Sequence, residues 1–362
     1  MKLGKILLTL SLGLSLCACR KKTEKDITTT KNTVKTTKKT VKTTKNKVNT
    51  TTNNTQANQD NGIYKRVGNT IYFGQYPQTL VTDTTTTSAL TELAGTRGTS
   101  SWSKIEKSVN NASYTTLRYK DIDYDGSMYR VIDLIEYINY KSSETRSYDN
   151  YPYQRLNGYI EGELYCFKFE DIKWDILKES DGKAVILSSL TLDASCYEKV
   201  ERTTKWMHNG GDGYANNYSL SDIRKWLNDY FYDNAFNELQ KSIIEETTVY
   251  NHKDSTGNID NTLTCINTLD NVFILSVQEV NEYMPSKDSR KYNTNSVSDY
   301  AKCLNASTDT NWGSYWLLRS PHDGSSYTGI EIETVNANSG DITSFFVSNQ
   351  FLGIKPAITI TL

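Results

Sequence analysis

The sequence predicts an α+β fold: a single mixed domain of antiparallel strands and a few amphipathic helices, following a disordered N-terminal tether. Three observations carry this reading. All 25 tyrosines, 6 tryptophans and 9 phenylalanines of the 362-residue chain lie beyond Gly62, so a core can form only there. Within that region, stretches of two-residue period alternate with stretches of helical period, without a regular strand–helix–strand repeat. From Arg20 to Gln59 there is no aromatic residue, and Lys, Thr, Asn and Val dominate. Such a segment cannot bury enough apolar surface to offset the entropy of ordering it.

The N-terminus predicts export. Lys2 and Lys5 frame a short positive region, followed by an eleven-residue apolar run at 6–16. That run is too short for a permanent membrane helix, which needs about 20 residues, but it suits a signal peptide over 1–18. Leu16-Cys17-Ala18-Cys19 resembles the bacterial lipobox, with Ala18 at −1 and Cys19 as the lipid-modified residue. Residues 19–61 then form the lipidated cysteine and its linker, with K-N-T-V-K-T-T at Lys31 repeated as K-K-T-V-K-T-T at Lys38 and, in weaker form, at Lys45. One valine per seven residues is too little for a coiled coil. About 42 residues of flexible chain average roughly 35 Å end to end. The expected location is the cell surface, with the membrane as partner through the anchor.

Charge divides the chain at the same place. The whole sequence carries −1 and its first 59 residues +11, which leaves −12 on residues 60–362. A domain that acidic argues against nucleic acid as a partner.

The domain, 62–362, is justified element by element. I-Y-F-G-Q-Y-P-Q-T (71–79) reads as a short strand broken by Gly74 and Pro77. Residues 80–113 are expected to hold one helix near Leu90, and Tyr124-Asp125-Gly126 a hairpin turn. Residues 169–190 form two strands around Asp181-Gly182, with Ile172, Trp174 and Ile176 on the buried face. The strongest helix runs over 219–232. Leu220, Ile223, Trp226, Leu227, Tyr230 and Phe231 make one apolar stripe; Arg224, Lys225, Asn228 and Asp229 face away, and Ser219 with Asp222 resembles a capping box. Residues 271–276 read as a buried strand leading into a helix over 277–284. Four strands are expected after Tyr315. Cys166, Cys196, Cys265 and Cys303 show no C-x-x-C spacing, and they allow three disulfide pairings.

Candidate chemistry centres on W-G-S-Y-W-L-L-R-S-P-H-D-G (312–324). Ser320, His322 and Asp323 are triad residue types, but three residues of one turn cannot align nucleophile, base and orienter. Arg319 at a strand end suits holding carbonyls or a carboxylate through its planar fork. The stretch reads first as a fold clasp and second as a pocket wall, with Trp312, Trp316, Arg319, Ser320, His322 and Asp323 as candidate ligand-binding residues. D-I-D-Y-D-G (121–126) is a charged hairpin turn, with an irregular calcium site at Asp121, Asp123 and Asp125 as the alternative. No other cofactor is implied. Glu331 and Glu333 alternate with isoleucines and are read as a solvated sheet face rather than a glycosidase pair. H-N-G-G-D-G (208–213) is read as a ligand-facing loop.

Six ordered blocks resemble a bacterial family, the domain of unknown function 6273, found in exported and surface proteins. They are I-Y-F-G-Q-Y-P-Q-T, W-D-I-L-K-E-S-D-G-K-A-V-I-L-S-S-L-T-L-D, D-I-R-K-W-L-N-D-Y-F-Y-D-N-A-F, V-F-I-L-S-V-Q-E-V, Y-W-L-L-R-S-P and G-I-K-P-A-I-T-I. The likeness implies core blocks at 71–79 and 164–362 around an insertion at 80–163, and brings no activity with it. The terminal pattern is also similar to C-type-lectin-like and formylglycine-generating-enzyme-like folds. The copper-binding cysteine pair of the latter is not positioned here by Cys265 or Cys303, so that activity is not carried over. The functional expectation is an extracellular module that binds carbohydrate or protein. An exported hydrolase or other enzyme, and a structural envelope protein, are the alternatives.

Overall fold

In the computed structural model, two tight turns organise the main sheet. Asp125 (φ 51) and Gly126 (φ 69) close one hairpin; Asp181 (φ 53) and Gly182 (φ 75) close another. Two successive residues in the left-handed region match the right-handed twist of the strands they join, so Asp-Gly is favoured there. The described residues are 59–109, 112–138, 152–200, 204–208, 211–256, 263–291, 296–308, 313–322 and 329–362. The signal, Cys19 and the repeat-bearing linker lie outside them. Residues 54–362 form one compact unit.

The first half of this unit contains β1 (Gln59–Asp60), β2 (Lys65–Val67), β3 (Thr70–Leu80), helix α1 (Thr84–Ala94), β4 (Ser103–Val109), β5 (Ala112–Tyr124), β6 (Ser127–Leu134), a short α2 (Tyr153–Leu156), β7 (Leu164–Ser180) and β8 (Lys183–Ser188). β7 is the spine. One of its edges pairs with β3; the other pairs first with β6 and then with β8. The order β1-β2-β3-β7-β6-β5-β4, with β8 and the C-terminal β18 (Ala357–Thr361) beside it, gives a sheet of nine described strands. Ile172, Trp174 and Ile176 are buried as their alternation requires, and Trp174 Nε1 donates to Phe73 O at 2.8 Å.

Between these halves run β9 (Asp193–Ala194), the hairpin β10 (Trp206–His208) and β11 (Gly211–Gly213), α3 (Asp222–Trp226), a π-helical turn (Leu227–Phe231), α4 (Tyr232–Ala235), α5 (Glu238–Lys241), β12 (Thr247–Val249), α6 (Lys253–Thr256), β13 (Thr268–Asp270), α7 (Val277–Tyr283), α8 (Lys287–Arg290) and α9 (Asp299–Cys303). Then come β14 (Tyr315–Pro321), β15 (Glu331–Asn336), β16 (Ile342–Phe346) and β17 (Gly353–Ile354). The second sheet has the order β16-β15-β14-β17-β9, with β14 and β17 parallel. No helix among the described residues is long and apolar enough to cross a membrane.

The mixed, mainly antiparallel α+β class stands; several local expectations do not. Gly74 does not break the first strand: β3 is continuous and bulged, with register shifts on either side of 75–77. A Cβ at Gly74 (φ 70) would lie 2.6 Å from the Phe236 ring, so the bulge needs glycine there. The cap of α3 is Ser221, which accepts from Arg224 N at 3.2 Å, not Ser219. Residues 272–275 are buried but make only one bridge, Phe273 to Ala357; the ladder lies earlier, at β13. Of the segment 208–213, expected as a loop, the described residues are strand residues: His208 pairs with Gly211. The segment 80–163, expected as an insertion between the family blocks, is built into the fold. It supplies β4, β5 and β6 to the main sheet, and Leu90 and Ala94 of α1 cover Trp102, Ile122, Val131 and Cys166 on that sheet. Cys166, Cys196, Cys265 and Cys303 form no disulfide.

Two buried cations tie the C-terminal strands to the rest. Arg319 of β14 has a fully buried side chain. Its guanidinium forks onto Glu279 of α7, with Nη2 to Oε1 at 2.7 Å, and donates to Ile274 O at 2.8 Å and Asn251 Oδ1 at 3.2 Å. Lys355, between β17 and β18, is 1% exposed and donates to Ser189 O at 2.8 Å. Burial lowers its amine from 10.5 to about 7, with Asp175 acting weakly in the opposite sense.

Arg319→Met is therefore expected to cost about 3–5 kcal/mol in urea unfolding, because Glu279 is left without its counter-charge. For Lys355 the sign is that of any group whose pKa is lowered on folding, and opposite to that of a lysine held by a carboxylate. Between about pH 7 and 10.5 the unfolded chain binds a proton that the folded chain does not. Stability should rise with pH across that window, by up to ~1.4 kcal/mol per unit. Lys355→Met should be most stabilised relative to the native chain near pH 7 and lose that advantage as pH rises, read from denaturant midpoints of both proteins.

Candidate functional site

The segment 312–324 divides once its surroundings are known. Arg319 and Ser320 are clasp residues: Ser320 Oγ donates to Thr256 O at 2.7 Å and accepts from Val277 N at 2.9 Å. Trp316 is 1% exposed in the second sheet and offers no face to a ligand. Trp312 and Asp323 lie outside the described residues. His322 is drawn away from Ser320 and toward β15, where Nδ1 lies 2.8 Å from Glu333 Oε1. The side chains of Glu331 and Glu333 are only 13% and 17% exposed, so this is not the solvated face expected of them. Asp121, Asp123 and Asp125 are not gathered into a calcium loop. Both oxygens of Asp121 are held by Arg130, Asp123 pairs with Met128 along the hairpin, and Asp125 sits in its turn. Among the described residues no three acidic, imidazole or thiol groups converge on a metal position.

The pocket lies elsewhere. A cleft of about 400 Å³ opens where the main sheet, the 193–199 segment, the α3–π–α4 helix and α9 meet. Its aromatic lining is Tyr119, Trp226, Tyr230 and Tyr300; its polar lining includes Asp193 and, around it, Lys104, Lys199, Lys225, Asp222 and Asp229. Three lysines and three aspartates leave the lining neutral within an acidic domain.

The helix explains how the aromatics reach the cleft. Leu227 and Phe231 are buried, whereas Trp226 and Tyr230 are half-buried and stack on each other with centroids 5.9 Å apart. The π turn adds a residue to the backbone ring and so shifts the register of everything beyond it. Asn228 pins this turn: its Nδ2 donates to Arg224 O and Val272 O, while its Oδ1 accepts from Asn271 N and Val272 N. Arg224 binds Asp270 Oδ1 at 2.7 Å, so the side of the helix expected to face solvent is partly stapled to 269–272.

Beneath the cleft lies Arg130, 0% exposed. Nε and Nη2 each reach an Asp121 oxygen at 2.7 Å; Nη1 donates to Tyr230 Oη and Tyr300 Oη, both at 3.0 Å. The guanidinium sits 4.2 Å from the Tyr119 ring centroid. Tyr230 Oη donates onward to Tyr119 Oη at 3.3 Å, and Tyr76 Oη donates to Asp193 Oδ2 at 2.7 Å. Burial pushes the Tyr76, Tyr230 and Tyr300 hydroxyls up, so they stay neutral hydrogen-bonding groups at physiological pH. The arrangement can stack a ring and exchange hydrogen bonds with neutral polar groups.

None of these pocket residues was singled out as a site from the sequence. Trp226 and Tyr230 share the helical spacing of core residues, Asp193 only closes the second family block, and Tyr119 and Tyr300 stand in no motif. The one available signal was the Trp226/Tyr230 pair at the margin of the apolar stripe.

No curated protein and no solved structure matches this chain. The lectin-like likeness of the terminal strands thus has no solved relative behind it. Residues 181–362 match the family described as domain of unknown function (DUF6273), beginning inside the β7–β8 turn and taking in the second sheet, the helices from α3 to α9 and most of the cleft; covering half of the sequence, the match shows that the chain belongs to that family.

Proposed function

We propose that this protein is an exported, lipid-anchored ligand-binding module, and that its ligand is a neutral carbohydrate bound in the Tyr119–Trp226–Tyr230–Tyr300 cleft. One observation carries the proposal: stacked, half-buried aromatic faces meet neutral hydroxyls and an internally balanced set of charges in a single concave site. Sugar rings combine a flat C–H face, which packs on Trp and Tyr, with hydroxyls that satisfy polar rims. The anchor at Cys19 and the flexible linker would present the site away from the membrane at the cell surface. The basic linker against an acidic domain suits this separation of roles.

The test is binding of residues 54–362 to a panel of neutral and charged oligosaccharides, followed by tryptophan fluorescence. A neutral glycan should bind, and Trp226→Ala should weaken it about tenfold or more, the scale of losing an aromatic anchor. Leu239→Ala, exposed and outside the cleft lining, should leave affinity unchanged. A folded protein that binds no glycan, or binds one equally without Trp226, contradicts the proposal.

A further inference from the structure

The hydrogen bonds beneath the cleft run in one direction, because a guanidinium donates and cannot accept. Arg130 Nη1 donates to Tyr230 Oη and Tyr300 Oη, both at 3.0 Å, so neither hydroxyl can direct its own hydrogen back at the cation. Tyr230 passes its hydrogen to Tyr119 Oη at 3.3 Å. The opposite order would leave the Tyr230 hydrogen without an acceptor among the described residues. Tyr119 therefore ends the relay. Its half-buried side chain lines the cleft, and among the described residues nothing accepts from its hydroxyl. This wall turns a donor toward whatever fills the space. From β9 the cleft offers an acceptor, Asp193, whose Oδ2 is held by Tyr76 Oη and whose Oδ1 is held by Ala194 N, both at 2.7 Å. The stacked rings of Trp226 and Tyr230 supply apolar faces to the same space.

A relay that starts at a buried cation is polarised toward its far end, and each bond in it strengthens the next. Its best complement is a group that only accepts. A sugar hydroxyl accepts but must also place its own hydrogen, whereas an amide carbonyl accepts alone. A carboxylate accepts too, yet Asp121 already balances Arg130 through both of its oxygens, and a further anion would face Asp121 and Asp193. We propose that the cleft selects a sugar bearing an acetamido group, with Tyr119 Oη donating to its carbonyl, Asp193 accepting from its N–H, and its methyl packed against the aromatic faces. This rests on the carbohydrate reading of the cleft and names the class of sugar within it. The acetamido group is uncharged, as the balanced lining favours, and it uses each kind of contact that the cleft presents.

The experiment titrates the full chain, by calorimetry, with short oligosaccharides that differ only in carrying an acetamido group, a hydroxyl or a free amine at one ring position, in the gluco and galacto series. In at least one series the acetamido sugar should bind about tenfold or more tightly than its hydroxyl counterpart, the scale of one hydrogen bond and one buried methyl together. Tyr119→Phe keeps the ring, which lies 4.2 Å from the Arg130 guanidinium, and removes only the donor. It should reduce that preference about three- to tenfold and leave affinity for the hydroxyl sugar unchanged. Trp226→Ala should weaken both sugars alike. Circular dichroism checks that each variant is folded, and the titrations of the native chain decide the matter even where a variant is not. Equal affinity for acetamido and hydroxyl sugars would overturn this proposal and leave the carbohydrate reading standing; no binding of either would overturn both. A preference for the free amine, or an acetamido preference that survives intact in folded Tyr119→Phe, would also overturn it.

Discussion

The fully buried guanidinium of Arg130 is the constraint on which the cleft depends. A cation with no exposure is tolerated only when its donors are met in good geometry. Here the counter-charge, Asp121, and the ring under the guanidinium, Tyr119, come from β5, ahead of the family-matched region. The two hydroxyls that complete the set, from Tyr230 and Tyr300, come from within it. Moving either party leaves a buried charge short of partners. That penalty fixes β5 and β6 against the π turn and α9, and the cleft is the space left between them.

Placement of the aromatic groups then follows from helix geometry. An uninterrupted α-helix would carry its apolar stripe evenly into the core. The π turn at 227–231, pinned by Asn228 to residues 271–272, holds Leu227 and Phe231 inside while Trp226 and Tyr230 remain half-buried at the cleft. Lys104, Ile105 and Tyr119 close the opposite wall from residues preceding the family match. The cleft is thus assembled from residues on both sides of the start of the family match.

Sequence reading reached what is encoded locally. Asp125-Gly126 and Asp181-Gly182 declare their turns because few residue pairs accept two left-handed conformations. The alternation at Ile172, Trp174 and Ile176 declares a one-sided strand, and Arg319 declares a clasp because a fork at a strand end needs carbonyls or a carboxylate. It failed where distant segments decide. Nothing in residues 80–163 names their neighbours, so the pairing of β6 with β7 has no local signal. Glu331 and Glu333 looked solvated because alternation does not disclose that His322 folds back across them. The cleft draws on positions from Lys104 to Leu304, a separation that no local pattern can bridge.

The most direct measurement of this account is a double-mutant cycle across the Arg130 network, using Arg130→Lys with Tyr230→Phe and, separately, with Tyr300→Phe. Unfolding free energies of the singles and doubles give the coupling between the segment ahead of the family match and the family domain. Couplings of about 1–2 kcal/mol are expected for both pairs, since lysine cannot reproduce the fork from which both hydroxyls accept. Additivity within ~0.3–0.5 kcal/mol for both pairs would mean that Arg130 does not join the two parts, and that the cleft is not built on it.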